Sequence, residues 1–206
     1  ILKFVRLGRI GVGDENQFSF VHRRFAEYFI VQKMLKDDAL VDLEAIPTDS
    51  QFRDAMVLYC EVADIEKAKE VAIFCWQTIS KINSPRHLGS IHCLRFLKDA
   101  FATRIEAVRS FQVKLANYIL AHFEDEDSDI ITSKLALEAV GLLTKESIEE
   151  CIYKIMYTND WLRETAMRSY IKLGAINKNL NILLLYFFID KSVFQIFSKR
   201  KSYKLI

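Results

Sequence analysis

The chain has 206 residues, 51% of them apolar and 27% charged, which is enough to bury a core and ordinary for a soluble globular protein. A formal net charge of +2 gives no reason to expect a nucleic-acid or acidic membrane surface. The longest apolar run, Ile182 to Ile189, is far short of the roughly 20 residues of a membrane span.

Two prolines and six glycines argue for long helices with few tight turns. Cys60, Cys75, Cys93 and Cys151 are scattered through helical patterns, which fits a reduced, cytoplasmic protein rather than a disulfide framework. The chain opens on Ile1 rather than Met and shows no signal peptide, so it reads as a fragment of a longer protein.

Residues 2–22 read as a β-hairpin. Leu2, Phe4 and the stretch to Ile10 alternate loosely, 11–16 is rich in turn formers, and Gln17 to His22 returns. The spacing Gly8-x-x-Gly11-x-Gly13 is no phosphate loop, because no Gly-Lys-[Ser/Thr] follows it or occurs elsewhere in the chain. Without a lysine for the β- and γ-phosphates or a hydroxyl for Mg²⁺, this chain alone is not expected to hydrolyse ATP, and it is read as no enzyme.

Phe18 and Phe20 alternate with polar or small residues up to His22. Beyond it Phe25, Ala26, Phe29, Ile30 and Met34 recur at helical spacing. His22 thus stands where a strand enters a helix, and a helix mouth suits an anion. A neutral imidazole there can add one directed N–H donor. On spacing alone, a lone histidine at such a junction reads first as a local cap or core residue. The aromatic set Phe18, Phe20, Phe25, Tyr28 and Phe29 reads as core.

The segment Phe20-Val21-His22-Arg23-Arg24-Phe25-Ala26-Glu27-Tyr28-Phe29 resembles the F-x-H-x-x-F-x-E-[YF]-[FL] motif closing the winged-helix part of NACHT-type STAND ATPases. These signal-transducing NTPases include NOD-like receptors and many bacterial defence proteins. The resemblance covers roughly residues 1–36 and departs from the family at Ala26, where Gln is usual. It implies a winged-helix remnant and a contact between His22 and the β-phosphate of bound ADP that helps hold a closed resting state. ADP or ATP would then belong to an upstream nucleotide-binding domain of the same parent chain.

Asp37-Asp38, Pro47 and the polar cluster Thr48-Asp49-Ser50 break the pattern, with Asp49 or Ser50 placed to cap the next helix. The domains are accordingly 1–45, the hairpin with its linking helix, and 46–206, a helical-repeat region. Helices are expected near 51–62, 65–82, 87–107, 109–123, 130–143, 146–157, 160–173 and 179–198, with short connections. The segment 136–143 aligns with 166–173, and Asp160-Trp161-Leu162-Arg163-Glu164 resembles the second helix of a HEAT-type repeat. The fold class read from these signals is mainly α, a short N-terminal β-hairpin followed by an α-solenoid of stacked helix pairs.

Other chemistries fall away. Asp125, Asp127 and Asp129 mimic a calcium loop, but Ile130 stands where that loop needs Gly and Ala136 where it needs Glu. His87, His92 and Cys93 lack metal-ligand spacing, and no nucleophile with a partner base can be argued. The basic run Lys199-Arg200-Lys201 reads as a solvated end.

Two functions remain. In the first, the chain is the regulatory and sensor part of a NACHT-like ATPase, with His22 on ADP and a protein partner on the helical repeats. In the second it is a helical-repeat scaffold for protein partners, in which His22 is structural. Nucleic-acid binding through Arg6, Arg9, Arg23 and Arg24 is a weaker third, opposed by the near-neutral charge.

Overall fold

The computed structural model describes residues 8–10, 18–20, 22–82, 84, 87–124, 130–158, 162, 163, 165, 166 and 169. The chain is mainly α and divides into two compact units, Ile1–Leu143 and Thr144–Ile206. The sequence boundary expected at 45/46 therefore falls inside the first unit, because the helix before it packs on the helix after it.

Within the first unit, β1 (Gly8–Ile10) pairs antiparallel with β2 (Phe18–Phe20), placing Gly8 opposite Phe20 and Ile10 opposite Phe18. The next element, α1 (Arg23–Met34), buries Glu27, Val31 and Met34, a stripe at i, i+4 and i+7. Two 3-10 turns follow, at Asp38–Leu40 and Leu43–Ala45, where Asp37 and Asp42 each accept the N–H two residues on. The expected polar break is thus two capped turns.

Asp49 is the cap of α2 (Ser50–Val62), its carboxylate accepting from Gln51 N at 2.8 Å and Phe52 N at 3.2 Å. α3 (Ile65–Ile82) buries Ala68, Val71, Ala72, Cys75 and Ile79, a regular one-sided stripe. α4 (Leu88–Phe101) is buried over most of its circumference, with Cys93, Leu94, Phe96, Leu97, Ala100 and Phe101 all inside. The reason is its position: α2, α3 and α6 all pack against it.

The helix expected over 87–107 stops at Phe101, and 3-10 turns at Ile105–Ala107 and Arg109–Phe111 lead into α5 (Gln112–Glu124). Arg104 explains the break, since its guanidinium turns back to donate to the carbonyls of Cys60 and Ala63 at the end of α2. A helix continuing through this position would carry that side chain elsewhere. Gln112 likewise donates to the buried Leu142 carbonyl at 2.7 Å, where α6 (Ile130–Ala139) tightens into a 3-10 turn. Trp76 of α3 stacks on Phe111 at 5.5 Å and meets Tyr118 of α5 edge-on at 6.2 Å.

The second unit contains α7 (Lys145–Thr158), whose first turn is closed by the Thr144 hydroxyl accepting from Ser147 N at 3.4 Å. Ile148, Cys151, Ile152 and Ile155 are buried on one face of α7. Leu162 and Ala166 are buried, but most of the expected helix 160–173 and all of 179–198 lie outside the described residues. The same holds for the calcium-like run 125–129 and the basic tail. Of the two aligned repeat segments, 136–143 runs from α6 into its 3-10 turn, and 166–173 falls mostly outside. Every regular element after residue 50 among the described residues is helical, and no helix there is long and apolar enough to cross a membrane.

Candidate functional site

β2 delivers the chain to His22, the N-cap of α1, with extended backbone at φ −125° and ψ 134°. Its carbonyl accepts from Phe25 N at 3.0 Å and so starts the helix, but its imidazole makes no capping hydrogen bond. The ring is exposed and leans on Phe25, with centroids 6.0 Å apart and planes at 55°. Among the described residues neither ring nitrogen has a hydrogen-bond partner, and the cap side chain does not cover the first-turn N–H groups of α1.

The neighbouring arginines have different fates. Arg23 Nε pairs with Glu27 Oε1 at 2.8 Å along the helix, and its Nη2 reaches the Asp54 carboxylate on α2. Glu27 is only 7% exposed, so the Arg23 partner is what makes its burial tolerable. Arg24 is exposed and has no ion pair among the described residues. Beside them lies an open hollow of about 360 Å³ lined by Arg23, Arg24, Glu27, Asp54, Val57 and Asp99. Two of its carboxylates share the single charge of Arg23, and Asp99 is paired with Lys98 at 3.1 Å, so Arg24 offsets the remaining negative charge of the hollow without an ion pair of its own among the described residues.

The other side of α1 departs from its sequence pattern. Tyr28, Phe29 and Ile30 are 51%, 38% and 45% exposed, and Phe20 and Phe25 are only half buried, so the expected aromatic core is not closed. The face of α1 that is buried instead carries Glu27, Val31 and Met34, and α1 packs on α2. Phe20 stacks on Phe29 at 5.3 Å, and both line an apolar groove of about 430 Å³ with Ala26, Ile30, Met34, Leu40 and Phe52. Phe18's side chain lies outside the described residues.

Of the four arginines weighed for phosphate contact, Arg6 and the Arg9 side chain lie outside the described residues, and Arg23 is neutralised. The Arg23–Glu27 spacing was visible in the sequence as an i, i+4 pair, but nothing marked Asp54 as the third member. His87 has a role that sequence spacing missed: it is the N-cap of α4, its Nδ1 accepting from Gly89 N at 3.1 Å. Gly89 permits this, since a Cβ there would sit 3.2 Å from that nitrogen. Among the described residues no His, Cys, Asp and Glu group is suited to holding a metal ion. Comparison with known protein families, curated proteins and solved structures finds no match.

Proposed function

We propose that this chain is the regulatory and sensor portion of a NACHT-like signalling ATPase. In this reading β1, β2 and α1 are the end of a winged helix, and the helices from α2 onward are HEAT-like pairs of an α-solenoid that binds a protein partner. His22 contacts the β-phosphate of ADP held by the nucleotide-binding domain of the same longer chain, and Arg24 adds a cation beside it. The observation that carries this reading is the N-cap geometry of His22. Its imidazole is exposed and uncommitted at a helix mouth, inside a motif that resembles the family's phosphate-contacting segment.

A single contact sets the scale. One hydrogen bond to a charged group is worth about 1–3 kcal/mol, against about 8 kcal/mol for micromolar affinity. Residues 1–206 alone should therefore bind ADP more weakly than micromolar and show no ATPase turnover. In the longer chain, His22→Ala would remove a contact present only in the closed state, and a loss of about 1–2 kcal/mol raises the open population roughly 5- to 30-fold. The test is basal signalling of His22→Ala at matched expression, with Phe20→Ala as a packing control that lowers protein level instead. A His22→Ala protein that is fully expressed and silent without its trigger would sink the nucleotide reading. The apolar groove along Phe29, Ile30 and Leu40 favours the second reading, a protein-interaction scaffold, in that case.

A further inference from the structure

Five residues that line the apolar groove of about 430 Å³ come from α1: Ala26, Phe29, Ile30, Lys33 and Met34. Their spacing is i, i+3, i+4, i+7 and i+8, the one-sided stripe with which a helix packs against another helix. At 1.5 Å per residue the stripe runs about 12 Å, or two turns, along α1. Leu40 of the first 3-10 turn and Phe52 of α2 line the groove beside it. Met34 is fully buried, whereas Phe29, Ile30 and Leu40 stay open to solvent. The outer part of a helix-packing face is thus left uncovered, and a contiguous apolar face of this kind marks an interaction site.

Among the described lining residues Lys33 alone is charged. It is exposed, in the last turn of α1, and has no ion pair among the described residues. The acids that follow it are engaged elsewhere: Asp37 accepts from Ala39 N at 3.1 Å, and Asp38 holds Lys67 at 2.5 Å.

We propose that this groove receives an amphipathic helix of a partner protein that sets a carboxylate against Lys33. The partner lays an apolar stripe on Phe29, Ile30 and Leu40, and the single cation at one end fixes its direction. A partner with Lys or Arg at that end would bring two cations together, so the groove selects acidic over basic helices. The proposal deepens the protein-interaction reading and rests on it. The nucleotide reading is tested at His22 and stands or falls separately.

Helix-forming peptides displayed on phage, randomised over two turns of one face and the flanking positions, are selected on the full chain. Winners are expected to carry apolar residues at i, i+3 or i+4 and i+7, with Asp or Glu beyond one end. A synthetic winner should bind Lys33→Glu about tenfold or more weakly and recover when its own acid is changed to Lys. Ile30→Asp alters a side chain that is already exposed, so the fold survives it, and it should abolish binding. Winners that bind Ile30→Asp undiminished, or that lack the acid and ignore Lys33→Glu, overturn the proposal and leave a scaffold that binds differently. A complete lack of winners sinks the groove and the scaffold together. A chain that is dimeric in solution and monomeric as Ile30→Asp gives the groove to a second copy, which also overturns the proposal.

Discussion

Two helices of this protein begin at a histidine, and they use it in opposite ways. At the mouth of α4, His87 turns its Nδ1 onto Gly89 N and satisfies one of the orphan donors there. At the mouth of α1, His22 has a similarly extended backbone and gives its own helix nothing beyond the carbonyl. The two residues are alike in place, each just before the first turn of an amphipathic helix. The contrast shows that a helix-mouth histidine is structural when its ring folds back on the first turn. When the ring is left outward, its chemistry is available to something else.

Substitutions can break or sharpen that contrast, and the core sets the upper bound. Phe96 is fully buried on α4 and packs edge-on against Phe101 at 6.1 Å. Phe96→Ala should cost about 3–5 kcal/mol in urea unfolding, dwarfing any effect at either mouth. His87→Ala comes next, at about 0.5–1.5 kcal/mol, because it deletes a capping acceptor and leaves the Gly89 N–H without its partner. A neutral result there would show that the cap geometry is dispensable and would erase the contrast.

Releasing Arg23 tests the neighbouring clasp. The Arg23–Asp54 pair has both side chains more than half exposed, so Asp54→Asn should cost only about 0.2–1 kcal/mol, shrinking further in high salt. A loss above 2 kcal/mol would mean that the pair sets the rotation of α1 rather than decorating it. The smallest effect belongs to His22→Ala, which should leave the unfolding midpoint of the isolated chain within about 0.5 kcal/mol of wild type. A destabilisation equal to that of His87→Ala would make His22 an ordinary structural residue.

The extents of α2 and α3 were legible because their signals are local: Asp49 is a strong cap, and the apolar residues of α3 fall on one stripe. The end of α4 was not, since no Gly or Pro marks it and the cause is Arg104 reaching carbonyls on another helix. The buried face of α1 was misread for a related reason. Apolar spacing selects Phe25, Ala26, Phe29, Ile30 and Met34, whereas packing keeps only Met34 of these fully buried and adds Val31 and Glu27, whose charge is answered by a residue four earlier. Of the candidate site, the position of His22 between strand and helix could be read from periodicity. Whether its ring would cap the helix could not, because that choice is a side-chain rotation that the sequence pattern does not encode.

The Arg104 clamp also imposes an order of events on a chain emerging from the ribosome. Its two acceptors, Cys60 O and Ala63 O, precede it by 44 and 41 residues. At synthesis rates of about 5–20 residues per second, the interval between Cys60 and Arg104 is roughly 2–9 s. Throughout that window the Arg104 guanidinium is missing from the carbonyls at the end of α2, while α3, made early within it, has time to form before Arg104 arrives. The end of α2 is therefore a late-sealing seam, and its amide protons should be the first in that helix to exchange when the α3–α4 pair opens.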